Sequence, residues 1–373
     1  MNETVFTSGK PYFDYLIAAI DSARYSVDLE TYIFSLDVTG KRVIQALTHA
    51  AQRGIQVRLL IDGAGSFVSW NHATHENLAS QGVQVRIFHP FPWHPQNHGS
   101  HNPSFPDRMI HMLLNLNRRN HRKTCIIDKS IAFAGSMNIS HCHVGQTPEQ
   151  GWRDTAVQFS GIDLTPLIKA FEQAWSQTRF YQFSKKKEQE KPLGNRIIRL
   201  NDTWRNRKAM AKSLQSRLKH AQTKIWVTSA YFVPDHITLR RLIIAARRGV
   251  DVRILVPHTS DVFYMPWIST SFYPVLIKYG VKIYEYHPKM LHAKTIVIDD
   301  WVIVGSSNLN HRSLLHDLEI DICLQKAISR QIIETQFLED LKESHAIDKN
   351  NLYAKPWYKR AIGFVLSQFR HWI

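Results

Sequence analysis

The chain has 373 residues, a formal net charge of +16 and 44% hydrophobic residues, so it can bury two cores or one core fused from two repeats. No uninterrupted apolar run reaches the roughly eighteen residues that a bilayer-spanning helix needs. Three cysteines (Cys125, Cys142 and Cys323) without framework spacing read as buried, reduced thiols and exclude a disulfide scaffold. The positive balance calls for a polyanionic partner, an anionic membrane surface or nucleic acid.

Met1 to Lys10 lack a charged start followed by an apolar run, so no signal peptide is expected. The apolar run at 26–34 predicts a strand. Residues 50–54 end a helix closed by Gly54, and Ile55 to Ile61 follow as a strand. Another strand starts after Gly82 and ends in His89-Pro90. Residues 91–120 are rich in His, Pro, Asn and aromatic side chains and lead into a basic cluster, Arg118, Arg119, Arg122 and Lys123. A loop of this length reads as a lid or substrate-facing insertion. Its histidines (His94, His98, His101 and His111) lack tight ligand spacing and read as solvated.

His121-Arg122-Lys123 follows, then Asp128, then Gly135-Ser136-Met137-Asn138. In a strand the histidine and lysine, two apart, point to one face. His141-Cys142-His143 has ligand-type residues but too few companions for a metal site. A lysine-rich stretch at 184–195 reads as a solvated linker between units 1–183 and 196–351. The second unit repeats the first. An apolar run at 224–233 precedes a helix closed by Gly249, the strand Val250 to Val256, and a strand after Gly280 that ends in His287-Pro288. Then come His292-Ala293-Lys294, Asp299 and Gly305-Ser306-Ser307-Asn308. In the tail, 352–373, Trp357, Ala361, Phe364, Val365, Phe369 and Trp372 recur at helical spacing among Lys359, Arg360 and Arg370. That is a basic amphipathic helix suited to a headgroup layer, with packing on the core as the competing reading.

Strands alternating with helices, twice over, predict two α/β units related by a pseudo-twofold axis, with half-sites that meet in one active site. The residue types favour phosphodiester chemistry. A neutral histidine can attack phosphorus while a protonated one hands a proton to the leaving alkoxide. Two lysines stabilise the phosphoryl oxygens, and the Ser and Asn of each turn add neutral donors. Such a set needs neither metal nor cofactor; zinc sites rarely place a lysine beside their ligands.

This constellation resembles the phospholipase D superfamily, whose signature is His-x-Lys, four residues, Asp, then Gly-Ser-x-Asn. Within it the chain is most similar to bacterial cardiolipin synthases of the short type without an N-terminal transmembrane pair. The supporting phrases run from Leu29 to Phe34, Leu60 to Gly63, Trp152 to Thr155, Ala230 to Pro234 and Gly305 to Leu309. The resemblance implies an α/β/α fold for each repeat and a phosphatidyltransferase acting through a phosphatidyl-histidine on phosphatidylglycerol; the phosphatidyl donor stays open, with phosphatidylethanolamine as a further candidate lipid. It makes His121 the nucleophile and His292 the general acid and base. Lys123, Lys294, Asn138 and Asn308 grip the phosphoryl group. Asp128 and Asp299 count among the motif residues, in a role that supports the fold, and Asp154 and Glu319 each hydrogen-bond an imidazole.

A peripheral place on the cytoplasmic face of a bacterial inner membrane follows from the tail. Phospholipid hydrolysis, a nuclease of the same fold and a non-catalytic binding module stay open as alternatives. Two departures from the family stand out. The second motif has one residue fewer between Asp299 and Gly305, and Asn310-His311 stands where the family has Asp-Pro. They bear first on Ser306, Asn308 and Glu319.

Overall fold

A computed structural model describes residues 1–93, 104–115, 118–147, 150–178, 197–348, 350 and 357–368. The linker at 184–195 and the insertion's His94, His98 and His101 lie outside the described residues.

The first half runs β1 (Asn2–Phe6), α1 (Gly9–Asp21), β2 (Ser26–Thr31), α2 (Val38–Gln52), β3 (Gln56–Asp62), α3 (His72–Ser80), β4 (Gln84–Phe88), α4 (Phe105–Asn115), β5 (Thr124–Ile127), β6 (Ile131–Gly135), β7 (Ala156–Ser160) and α5 (Thr165–Ser176). The second half repeats it without α4: β8 (Ile198–Leu200), α6 (Trp204–His220), β9 (Lys224–Thr228), α7 (His236–Arg247), β10 (Asp251–Pro257), α8 (Met265–Lys278), β11 (Lys282–Tyr286), β12 (Thr295–Ile298), β13 (Trp301–Gly305), α9 (His311–Leu315), β14 (Ile320–Cys323) and α10 (Ala327–Lys342). An edge strand β15 (Ser344–Ile347) and helix α11 (Trp357–Gln368) follow.

The sheets match strand for strand. One has the order β1-β7-β6-β5-β2-β3-β4; the other is β8-β14-β13-β12-β9-β10-β11 read the same way, with β15 added at its edge. In each, a parallel trio (β2-β3-β4, β9-β10-β11) adjoins an antiparallel hairpin (β5-β6, β12-β13) that carries the motif. Local chemistry explains the shared boundaries. Asp37 and Asp235 cap α2 and α7 by accepting the N–H of Gly40 and Thr238. Gly54 (φ +83°) and Gly249 (φ +90°) then turn the chain out of those helices in the left-handed region.

Three cores result. One lies on the outer flank of each half, built on Phe13, Leu47 and Ile61 in the first and on Phe232, Ile254 and Ile268 in the second. The third is shared, with Phe159 and Phe171 packed in one cluster with Val304 and Phe337. A joint core of this kind fixes the halves against each other.

Three expectations change. Strands β2 and β9 stop at Thr31 and Thr228, short of 34 and 233, because Asn138 and Asn308 capture backbone N–H groups just beyond, at Ile33 (3.1 Å) and Tyr231 (3.3 Å). The insertion is not all loop: α4 forms within it, with Ile110 and Leu113 exposed. The tail helix α11 seats on α8, where a side chain at Gly363 would collide with the Trp267 carbonyl, and Leu366 joins the second core. Its opposite side leaves Ile362, Phe364 and Val365 exposed, so core packing and an apolar outer face coexist on one helix.

Candidate active site

Each motif hairpin starts with its histidine pinned across the halves by backbone. His121 N–H donates to the Leu318 carbonyl (3.0 Å), and Leu318 N–H donates to Arg119 (2.8 Å). In the mirror arrangement His292 N–H donates to the Arg153 carbonyl (2.8 Å), and Arg153 N–H donates to Met290 (2.8 Å). Leu318 and Arg153 are each followed by an acid. The consequence is an exchange: Glu319 of the second half meets His121, and Asp154 of the first half meets His292.

His121 Nδ1 lies 3.0 and 3.1 Å from the two Glu319 carboxylate oxygens, and His292 Nδ1 lies 2.9 Å from Asp154 Oδ2. A proton held at Nδ1 leaves Nε2 of each ring with its lone pair, the form a nucleophile or base needs. The i, i+2 spacing brings each lysine back onto its own histidine. Lys123 Nζ donates to the His121 carbonyl (2.7 Å) and Lys294 Nζ to the His292 carbonyl (2.6 Å). One bond from each ammonium leaves two further donors for an anion. The carbonyls of Asn138 and Asn308 are taken by backbone N–H groups, which leaves their NH2 ends to donate.

The electrostatics are those of a site short of negative charge. Burial pushes Lys123 down to about 7 and Lys294 down to about 8. Burial and the neighbouring lysines hold His121 well below its usual value, and burial with Lys294 brings His292 to about 4. Burial lifts Glu319 to about 7, with Lys123 pulling the other way. Burial would raise Asp154 too, but the imidazoles of His292 and His143 outweigh it and hold that carboxyl well below its usual range. An anionic phosphodiester would offset the burial of both ammoniums at once.

The role expected of the turn serines is corrected. Ser136 and Ser306 are fully buried and brace the acids: Ser136 donates to Asp154, and Ser306 donates to Glu319 at 2.5 Å. Their hydroxyls hold carboxylates, not phosphoryl oxygens. Asp128 and Asp299 stand at the far ends of the hairpins, seven residues on from the motif histidines and beyond the whole of β5 and β12. Asp128 accepts the N–H groups of Arg24, Tyr25 and Ser26, and Asp299 those of Gln222, Thr223 and Lys224. They tie hairpin to strand and touch no site group. The missing residue of the second motif falls in this turn. Three residues separate paired Ile127 and Ile131, two separate paired Ile298 and Trp301, and the register above is the same. The Asn310 substitution is also absorbed, since its side chain caps α9 by accepting from Ser313 N–H (2.9 Å).

Of the basic cluster, Arg122 points away from the site and pairs with Glu30 (3.1 Å) in the core, while Arg119 Nη1 donates to the His89 carbonyl (2.7 Å). Sequence reasoning passed over Tyr32 and Tyr231. The Tyr32 ring meets His121 edge-on at 5.0 Å and lies under Lys123 Nζ at 5.3 Å. The matching runs 26–34 and 224–233, each carrying a tyrosine at its exit, were the signal. His143 was also passed over as a site residue; its Nδ1 lies 2.8 Å from Asp154 Oδ2.

His143, Asp154 and His292 have ligand-type groups close together, but they are engaged with one another: both Nδ1 atoms face Asp154, and Nε2 of His143 accepts the Asn138 N–H (3.1 Å). His258, Glu285 and His287 form a second such group, with the two rings stacked face to face at 3.8 Å rather than turned edgewise to a common point.

A family profile described as "Cardiolipin synthase, PLD-like domain" matches residues 16–175 and 214–341. The cardiolipin synthase of Halalkalibacterium halodurans is 32% identical over 372 residues, covering 97% of this chain and 70% of that protein. That of Clostridium perfringens is 31% identical over 348 residues, covering 88% and 68%. Among solved structures, the phosphatidylserine synthase of Haemophilus influenzae superposes with a TM-score of 0.72 at 12% identity, covering 100% of this chain and 95% of that one. The polyphosphate kinase of Porphyromonas gingivalis gives 0.61 at 14% identity, covering 99% and 56%. At these identities the structures speak for the fold alone.

Proposed function

The chain belongs to the cardiolipin synthase, phospholipase D-like family, and from that premise we propose that it is a metal-independent phosphatidyltransferase that makes cardiolipin from phosphatidylglycerol. His121 Nε2 attacks the phosphorus of a phospholipid, forming a phosphatidyl-histidine as the P–O bond to the headgroup breaks. His292, neutral in the empty site, takes up a proton at Nε2 when the phosphodiester anion offsets the charge of Lys294, and hands it to the departing alkoxide. The same nitrogen then takes the proton from a glycerol hydroxyl of phosphatidylglycerol, whose oxygen displaces His121. Glycerol leaves when phosphatidylglycerol is the donor, and ethanolamine leaves when phosphatidylethanolamine is.

The observation that carries this reading is the crossed pairing, in which each histidine is oriented by a carboxylate of the other half beside a lysine whose charge burial disfavours. Such a pair is complementary to an anion that accumulates charge in the transition state. Asp154, held ionised, suits His292 to carry a proton; Glu319, poised near neutrality, suits His121 to remain a neutral nucleophile.

The partner surface is an anionic bilayer, on its cytoplasmic face. Among the described residues no helix is long and apolar enough to cross a membrane. Exposed aromatic groups instead flank the site in both halves. Phe67 follows the turn whose Ser66 bonds the Tyr32 carbonyl, and it clusters with Phe91 and Trp93. Phe263, 71% exposed, follows Asp261, which accepts from the Tyr231 hydroxyl, and clusters with Tyr264 and Trp267. With the outer face of α11 and the charge of +16, these suit a headgroup layer. The deciding experiment incubates the protein in EDTA with phosphatidylglycerol vesicles, with and without phosphatidylethanolamine, and reads the lipids by mass spectrometry. Cardiolipin with released glycerol or ethanolamine is expected. Phosphatidic acid alone would make the protein a hydrolase.

A further inference from the structure

The carboxylate that orients His292 is not that imidazole's alone. His143 Nδ1 lies 2.8 Å and His292 Nδ1 2.9 Å from the same oxygen, Asp154 Oδ2. The matching position in the second half is Ser313. Asn308 N–H donates to the Ser313 hydroxyl just as Asn138 N–H donates to His143 Nε2, each five residues ahead. The duplication therefore carries a hydroxyl behind the acid of one histidine and a whole imidazole behind the acid of the other.

The protonation state of His143 follows from its neighbours. A backbone N–H can only donate, so Nε2 keeps its lone pair and the ring's proton sits on Nδ1, facing Asp154. Asp154 raises the ring's proton affinity to about 9 against the opposing effect of burial, yet a second proton would have to sit where the Asn138 N–H points. The ring is therefore neutral, with its Nδ1–H beside Asp154 Oδ2 in close electrostatic contact rather than in a hydrogen bond. Ser136 faces that carboxylate from the end of β6, and Lys123, Lys294 and Tyr12 bear on it from farther off. Around His143 itself stand Cys142, the edge of Trp152 and the His292 ring at 5.7 Å.

We infer that His143 is a positioning residue that tunes His292 by sharing Asp154 with it. The Nδ1–H dipole 2.8 Å from Oδ2, in close contact though off the line of a hydrogen bond, adds positive potential at the carboxylate, keeps it ionised and weakens its pull on the His292 Nδ1–H. The result is a lower proton affinity at His292 Nε2, so this ring gives up its proton to an alkoxide more readily than one with an unshared carboxylate. The inference rests on the reading of His292 as general acid and base.

Two variants separate tuning from support. His143→Asn places an amide N–H where Nδ1–H stands and gives up the acceptor for Asn138 N–H. His143→Gln does the reverse, keeping an acceptor near the Nε2 position. The titration of His292, followed by NMR of ring-labelled histidine in the empty protein, is expected to stay within a few tenths of a unit of the parent in His143→Asn. In His143→Gln it should move up by about one unit, tenfold in proton affinity. The limb of the kcat–pH profile set by His292 should move with it. Equal midpoints in parent and Gln variant, a shift in the Asn variant alone, or unfolding of both would leave His143 as structural support and overturn the inference. A moved NMR midpoint with an unmoved kcat profile would keep the tuning and remove His292 from proton transfer.

Discussion

Glu319 and Asp154 hold matching places in the two half-sites, but they answer burial in opposite ways. Glu319 is braced by the Ser306 and Ser313 hydroxyls, and burial lifts it to about 7. Asp154 faces two imidazoles and stays ionised. Around them the halves are nearly superimposable in their contacts: lysine to its own histidine's carbonyl, asparagine to a departing backbone N–H, serine to acid. A duplicated scaffold thus fixes geometry twice and leaves the acid and what stands behind it to divide the labour.

Loss of either imidazole tests what the halves share. His121→Ala and His292→Ala should each lower turnover on the order of 10⁴-fold or more, because residues acting as one unit fail together. Mass spectrometry of a quenched reaction tests what divides them: the phosphatidyl adduct is expected on His121, and an adduct on the peptide containing His292 would exchange the two roles.

The acids come next. Asp154→Asn removes a full charge beside His292 and should lower kcat roughly 10²–10³-fold. Glu319→Gln removes a group already half-protonated near neutrality and should cost only about tenfold, near 1.4 kcal/mol. Equal losses in the two variants would erase the asymmetry. Loss of a quite different size in both, with unchanged thermal stability, would point away from orientation of the imidazoles altogether.

Much of this arrangement is legible in the chain and some is not. The two His-x-Lys hairpins and their flanking helix–glycine–strand units are written locally, by spacing and by Gly54 and Gly249. Arg122 was legible too: a residue between two that share a strand face must point to the other, and it does, to Glu30. The exchange of acids was not. It depends on Leu318 pairing with Arg119 and His121, and Arg153 with Met290 and His292, across long sequence separations. The serines were misassigned for the same reason, since their acids come close only once the turn and the following strand are in place. Helix α4 was hidden by its His- and Pro-rich flank, although Met109, Ile110, Met112 and Leu113 already had helical spacing.

The lysines sharpen the comparison through pH. With Lys123 at about 7 and Lys294 at about 8 in the empty site, both are charged below neutrality and can receive a phosphodiester anion. As pH rises through 7 and then 8 the charges are lost, first in the first half, so kcat/KM on a soluble phosphodiester should fall about tenfold per unit between those values and up to about a hundredfold per unit above both. Glu319 supports the charge on Lys123, so Glu319→Gln should carry this alkaline limb to lower pH. A limb that stays flat to pH 10 would mean the ammoniums do not receive the substrate.

The smallest effect belongs to the ends of the hairpins, where the halves differ by a residue. Asp128 and Asp299 both sit in the left-handed region, at φ +51° and +52°, and both gather backbone N–H groups of the neighbouring strand's start. Asparagine tolerates that conformation, so Asp128→Asn and Asp299→Asn remove charge without adding backbone strain. Each should cost ~1 kcal/mol of stability, because these carboxylates are half-exposed and screened, with kcat within about twofold of the parent. The sign with pH is fixed. Burial opposes it, but the backbone N–H groups lower both carboxyls below their usual value, so the contribution is whole above pH ~4 and fades as pH falls through the folded-state value. Urea unfolding of parent and variant should therefore differ at pH 7 and converge near pH 3. Lys129 separates the two turns, since it is a second left-handed residue, at φ +53°, in the longer one only. Lys129→Gly should stabilise the first hairpin by ~0.5–1 kcal/mol, partly offset by the freedom glycine gives the unfolded chain. The same change at Asp300, which is not left-handed, should destabilise the second.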